Sequence, residues 1–188
     1  MHGEGAKSIG YFGVVPGRRG FVGAGLPADF TDRFDRWFNL ASQQLAPDPA
    51  PEASAARPLD VTWRFVARAG LFGPFAAAGA WQLSHDAGGL RYPLVVASLG
   101  PAEVTDQVWF DRVAAIVSQG ADGNLALPEI EVRLSRLPAP APPQNPPQNP
   151  PQSPPESAIV LWRDDWEVHE LRFASASSFA AFGLPGGG

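Results

Sequence analysis

The sequence predicts an α/β domain in which helices flank a mixed β-sheet. Three observations carry that expectation. Apolar residues from Phe30 to Leu45 recur at helical period. The stretch Leu94–Leu99 is apolar on both faces, as a central strand is. Segments of strand and helix character follow one another in the order β-α-β-β-β-α-α-β-β-α. With 188 residues, of which 45% are hydrophobic, the chain has enough material for one packed core and is not globally disordered.

The elements follow in order. Residues 1–9 carry one Lys and no apolar run, so a flexible N-terminus without a secretory signal is expected. Tyr11–Val15 is β-prone and is stopped by Pro16-Gly17. Gly20–Pro27 reads as a glycine-rich loop. A helix follows with Phe30, Phe34, Trp37, Phe38, Ala41 and Leu45 on one face, Asp29 as its N-cap and Asp32 in its first turn. Pro47, Pro49 and Pro51 end it and open an Ala/Pro loop to Pro58. Asp60–Arg68 alternates, with Val61, Trp63, Phe65 and Ala67 opposed to Thr62, Arg64, Val66 and Arg68, which predicts a half-buried strand. Gly70–Pro74 is a turn. Ala78–Leu83 and Arg91–Leu99 form a hairpin around Asp86-Ala87-Gly88-Gly89, with Arg91 and Asp86 expected to form an ion pair across it.

Pro101–Gly120 predicts a second helix with Trp109, Val113, Ile116 and Val117 inward. Pro128–Leu137 suits strand or helix. Helix is preferred because Pro128 starts it, Glu129 and Glu131 come early, and Arg133 and Arg136 come late. Ten of the 21 prolines lie in 138–155, where Pro-Pro-Gln-Asn repeats offer neither donors nor apolar side chains. This segment predicts a disordered, polyproline-type insertion. Strand character resumes at Ala158–Trp162 and Trp166–Phe173 around an Arg163-Asp164-Asp165 turn. Ser175 can cap a last helix carrying Phe179 and Phe182. Because β patterning returns, 10–137 and 156–183 are expected to form one domain, with 184–188 a flexible tail.

The charge balance restricts function. With 14 basic and 19 acidic side chains the net charge is −5, which argues against a nucleic-acid binder. No apolar run approaches the length of a membrane span, so no direct membrane insertion is expected, and a cytoplasmic location is. Without cysteine there is no disulfide, thiolate site or thiol nucleophile. Three histidines without HxxxH or HExxH spacing offer no metal site, and no cofactor is expected. Ser84-His85-Asp86 holds the residue types of a hydrolytic triad, but as consecutive residues in a turn they do not converge. Asp164 and Asp165 are likewise neighbours rather than opposed carboxylates. The chain is therefore not expected to be an enzyme. Arg18 and Arg19, set between Gly17 and Gly20, can present guanidinium and backbone donors to an anion or a phosphopeptide. With Trp37, Asp86 and Arg91 they are the candidate partner- or anion-binding residues.

Several blocks together resemble the type VI secretion-associated TagF/ImpM family. Gly10-Tyr11-Phe12-Gly13-Val14-Val15-Pro16-Gly17-Arg18-Arg19-Gly20-Phe21-Val22 is similar to the opening pattern G-[FY]-[FY]-G-K-L-P-S-R-G-D-F-V. Gly25-Leu26-Pro27, Phe34-Asp35-Arg36-Trp37, Trp63-Arg64-Phe65 and Gly70-Leu71-Phe72-Gly73-Pro74 continue it. Ser84-His85-Asp86-Ala87-Gly88-Gly89-Leu90-Arg91-Tyr92-Pro93-Leu94 is similar to S-x-D-x-x-G-R-x-[FY]-P-L. Departures fall at Val14, Gly17, Arg19, Gly20 and Leu90, where the patterns have Lys, Ser, Gly, an acid and Arg. The resemblance implies a three-layer α/β sandwich that acts without catalysis. It implies an accessory regulator that represses type VI secretion post-translationally by binding a cytoplasmic forkhead-associated-domain scaffold protein. The alternative reading is an anion- or phosphopeptide-binding module using the Arg18/Arg19 loop, unrelated to secretion.

Overall fold

A computed structural model describes residues 9–44, 60–100, 106–141, 158–162 and 169–172. In chain order they form β1 (Ile9–Gly13), β2 (Val22–Ala24), α1 (Ala28–Gln44), β3 (Trp63–Ala67), β4 (Ala77–His85), β5 (Arg91–Leu99), α2 (Gln107–Ala121), α3 (Leu127–Ser135), β6 (Ala158–Trp162) and β7 (His169–Arg172). The strands make one sheet in the order β2-β1-β5-β4-β3-β6-β7.

Every pairing is antiparallel, which corrects the expected mixed sheet. The physical reason lies in where the helices lead. Parallel neighbours require a crossover between adjacent strands. Here α1 joins β2 to β3, and α2 with α3 joins β5 to β6, yet neither pair of strands is adjacent. The direct β4–β5 turn produces the longest ladder, from Ala77↔Leu99 to His85↔Arg91.

Side chains alternate between two cores. One gathers Phe30, Phe34, Trp37 and Phe38 of α1 with Trp63, Phe65, Trp81, Val95 and Ala97. The other gathers Trp109, Phe110, Val113 and Val117 of α2 and Ile130 and Leu134 of α3 with Ala78, Ala80, Leu94, Val96 and Trp162. The central strands are thus packed on both faces. This corrects the half-buried reading of the third strand: Arg64 is buried as well, because its second face lies against α2, where Arg64 Nη2 meets Asp111 Oδ1 at 3.0 Å. Gly79 shows how closely the central strands approach. A Cβ there would lie 2.0 Å from the Val96 carbonyl oxygen.

Several boundaries move for local reasons. The first strand ends at Gly13, and Val14 and Val15 pass into the two cores instead. The expected loop Gly20–Pro27 contains β2, a three-residue strand that pairs with β1 through Tyr11↔Ala24, Phe12↔Gly23 and Gly13↔Val22. Glycine content hid it, since periodicity is unreadable over so few residues. Helix α1 begins at Ala28, so Asp29 sits inside its first turn rather than at the N-cap. Helix α2 begins at Gln107 rather than Pro101. Its cap is Asp106, whose Oδ1 accepts the Trp109 N–H at 3.2 Å. The preference for helix over strand at Pro128–Leu137 holds, with α3 running from Leu127 to Ser135 and Glu129 accepting the Ala126 N–H at 2.9 Å.

Strands β6 and β7 pair antiparallel, as the resumed patterning predicts. The N-terminal residues before Ile9, the Pro47–Pro58 loop, the Pro-Pro-Gln repeat and the helix expected after Ser175 lie outside the described residues.

Candidate recognition site

The β4–β5 turn and the loop between β1 and β2 are joined by one carboxylate. Asp86 closes the turn: its Oδ1 accepts the Gly88 N–H at 2.7 Å and the Leu90 N–H at 2.8 Å. Its Oδ2 accepts the Gly20 N–H from the other loop at 2.7 Å. In return the Ala87 N–H donates to the Arg18 carbonyl oxygen at 2.7 Å. Gly20 adopts φ +75°, a left-handed conformation natural to glycine, and this aims its N–H at the carboxylate. Asp86 is only 6% exposed. The Gly20 and Leu90 donors lead the causes that hold its carboxyl below the ordinary value of 3.8. The Gly88 donor and the Arg19 charge act the same way, against burial.

The expected Arg91–Asp86 ion pair does not form. Arg91 Nη2 instead meets Asp60 Oδ1 at 2.8 Å, with both side chains about half exposed. Asp86 is saturated by backbone donors of the turn and the facing loop, whereas Arg91 starts β5 opposite His85. Trp37 is not a surface residue either. It is 8% exposed and lies in the α1-side core against Phe34, Phe72 and Trp81. Of the five sequence candidates, the structure brings Arg18, Arg19 and Asp86 together and leaves Arg91 and Trp37 in other roles.

Arg18 and Arg19 are exposed, and neither makes a salt bridge among the described residues. Beside them stands a residue that site reasoning missed. Phe21 is 52% exposed, although its ring stacks on Phe12 at 5.5 Å and meets Tyr92 edge-on at 4.8 Å. Phe12 and Tyr92 also touch, at 5.6 Å, so the three rings form a closed cluster. The Tyr92 hydroxyl donates to Asp35 Oδ1 of α1 at 2.9 Å. Burial, then that carboxylate, push its ionisation far above the ordinary tyrosine value. Leu90, on the turn clamped by Asp86, is 45% exposed. A large apolar residue directly after an Arg-Arg-Gly run was the available signal for Phe21.

On the other face of β1, the Tyr11 hydroxyl donates to Glu131 Oε1 of α3 at 2.6 Å. Burial and this acceptor raise the Tyr11 pKa to about 12. Ser84, His85 and Asp86 do not converge. Ser84 Oγ donates into the buried side toward the Ala121 carbonyl at 3.3 Å, His85 is exposed, and Asp86 serves the turn. Among the described residues no group of three or more His, Asp or Glu could hold a metal ion. None of the described helices is long and apolar enough to cross a membrane.

The model of the TagF N-terminal domain, described as type VI secretion system-associated, matches residues 10–137. The fold is similar to the crystal structure of PA0076 from Pseudomonas aeruginosa PAO1, with a TM-score of 0.68, 25% sequence identity, and 92% of each chain covered. A search of curated proteins finds no match.

Proposed function

Because the chain belongs to the TagF family, whose N-terminal domain is type VI secretion system-associated, we propose that it is a non-catalytic accessory regulator of type VI secretion. In this reading it represses the system after its components are made, by binding the forkhead-associated-domain scaffold protein in the cytoplasm. The observation that carries the reading is the family match over residues 10–137, which includes both loops joined by Asp86. The two cores support a helix–sheet–helix layering that leaves these loops free to meet a partner at one end of the central strands. The separation of Ser84, His85 and Asp86 fits a role in binding rather than hydrolysis.

The test is secretion of the system's tube protein in strains lacking or overproducing this chain. More secretion on deletion and less on overproduction are expected. No change in either strain, with the protein folded and present, would refute repression. The second reading, an anion- or phosphopeptide-binding module, is favoured by the exposed Arg18 and Arg19 beside glycine-rich backbone. It predicts that phosphate ligands shift the amide resonances of Gly17–Gly20.

A further inference from the structure

We propose that Arg18, Arg19, Phe21 and Leu90 form the face that grips the partner, and that its occupant is a protein segment carrying an apolar side chain flanked by carboxylates. The inference rests on the regulatory reading above and names the surface and the chemistry of its contact.

Three observations lead to it. First, Phe21 and Leu90 are large apolar residues left about half exposed on facing loops. They are held near each other because the Gly20 and Leu90 N–H groups converge on the same carboxylate. Second, Phe21 is preorganised. Its stack on Phe12 and its edge contact with Tyr92 fix the ring, and Asp35 fixes Tyr92 from α1. A rigid aromatic anchor loses little entropy on binding and suits the centre of an interface. Third, the charge beside it is positive in a chain of net charge −5. Asp86 takes three backbone N–H groups and feels the charge of Arg19, and among the described residues neither Arg18 nor Arg19 is tied up in a salt bridge. An exposed aromatic flanked by arginines is complementary to an apolar residue flanked by acids. A phosphate alone would leave the aromatic anchor unused.

The test measures binding of the full chain to the full-length scaffold protein by titration calorimetry at low and high salt. The variants are Arg18→Glu with Arg19→Glu, Phe21→Ser, and Phe75→Ser as a control, since Phe75 is exposed on the β3–β4 connection. Each is checked for folding by thermal melting. The arginine pair carries the decision if Phe21→Ser melts early, because its side chains are exposed and make no salt bridge among the described residues. The expected result is about tenfold or greater weakening for the double arginine variant and for folded Phe21→Ser. Wild-type affinity should fall with salt, and Phe75→Ser should bind normally.

Wild-type binding that all variants retain within about threefold overturns this face and leaves the regulatory reading standing. No binding by the wild type overturns both. Competition by millimolar inorganic phosphate, with Phe21→Ser still binding fully, would assign a small-anion site instead and overturn the proposal. So would a wild-type dimer that Phe21→Ser dissociates, which would seat a second copy of this chain on the face.

Discussion

Replacing Trp37 with alanine separates a core role from a contact role. A tryptophan side chain buries roughly 150–250 Å². At about 25 cal/mol per Å² that corresponds to roughly 5 kcal/mol for the middle of the range. Residual burial in the denatured ensemble lowers this to about 3–4.5 kcal/mol. The value agrees with the roughly 3–5 kcal/mol measured for such truncations. The site should not collapse to refill the space, because Phe34, Phe72 and Trp81 surround the ring at 5.3–6.3 Å and are themselves fixed by further ring contacts. Domains are stable by only about 5–15 kcal/mol, so the loss is a large share. For a chain of this size, about 4 kcal/mol lowers the melting temperature by roughly 8–16 °C. Thermal melting and urea unfolding, both followed by far-UV circular dichroism, measure it, with Phe75→Ala as an exposed control. A fall of less than about 3 °C, accompanied by lost partner binding, would refute the core assignment and return Trp37 to the surface.

Four further outcomes follow from the same geometry. The Asp86 carboxyl is held low in the folded state. Its contribution to stability is therefore complete above the unfolded-state value near 3.8 and declines as pH falls through the lower folded value. Asp86→Asn should flatten that acid limb in melting curves, and an unchanged limb would dismiss the clamp. Both tyrosines of the chain are raised, Tyr11 to about 12, so stability is full below 10.0 and falls as pH climbs through the folded values. Phenolate absorbance should therefore lag behind that of free tyrosine in native protein and appear with unfolding. Gly79→Val should prevent soluble expression or remove several kcal/mol, about 3 or more, because its Cβ has no room beside Val96. Arg91→Ala should cost less than about 1 kcal/mol by urea unfolding, since its pair with Asp60 is half exposed.

What the sequence made legible is what repeats. The α1 stripe needed only period and residue type, and Phe30, Phe34, Trp37 and Phe38 are all buried. The β4–β5 hairpin was readable because a Gly-rich turn separates two β-prone runs. Strand direction was not readable, because a helix between strands specifies a crossover only if those strands become neighbours. Here β1, β5 and β4 intervene between β2 and β3. Asp86 was found, but its partners were misassigned. Charge suggests an arginine, while backbone donors carry no signature in the residue letters. Phe21 was legible as part of a motif and not as an exposed anchor, since exposure depends on how β2 turns back along β1.

The clamp shows how the side chains of the β1–β2 loop can change while its path is kept. Among the described residues, each hydrogen bond joining the β1–β2 loop to the β4–β5 turn uses a backbone group of the loop: the Gly20 N–H and the Arg18 carbonyl. The single side chain required is Asp86, which belongs to the turn. The loop's path therefore does not depend on which side chains stand at 18 and 19. Val14, where the resembling pattern has lysine, is fully buried in the α1-side core and packs there. Substitutions at Arg18 and Arg19 should therefore change stability little, whereas losing the Asp86 carboxylate removes the bond to Gly20 whatever those residues are.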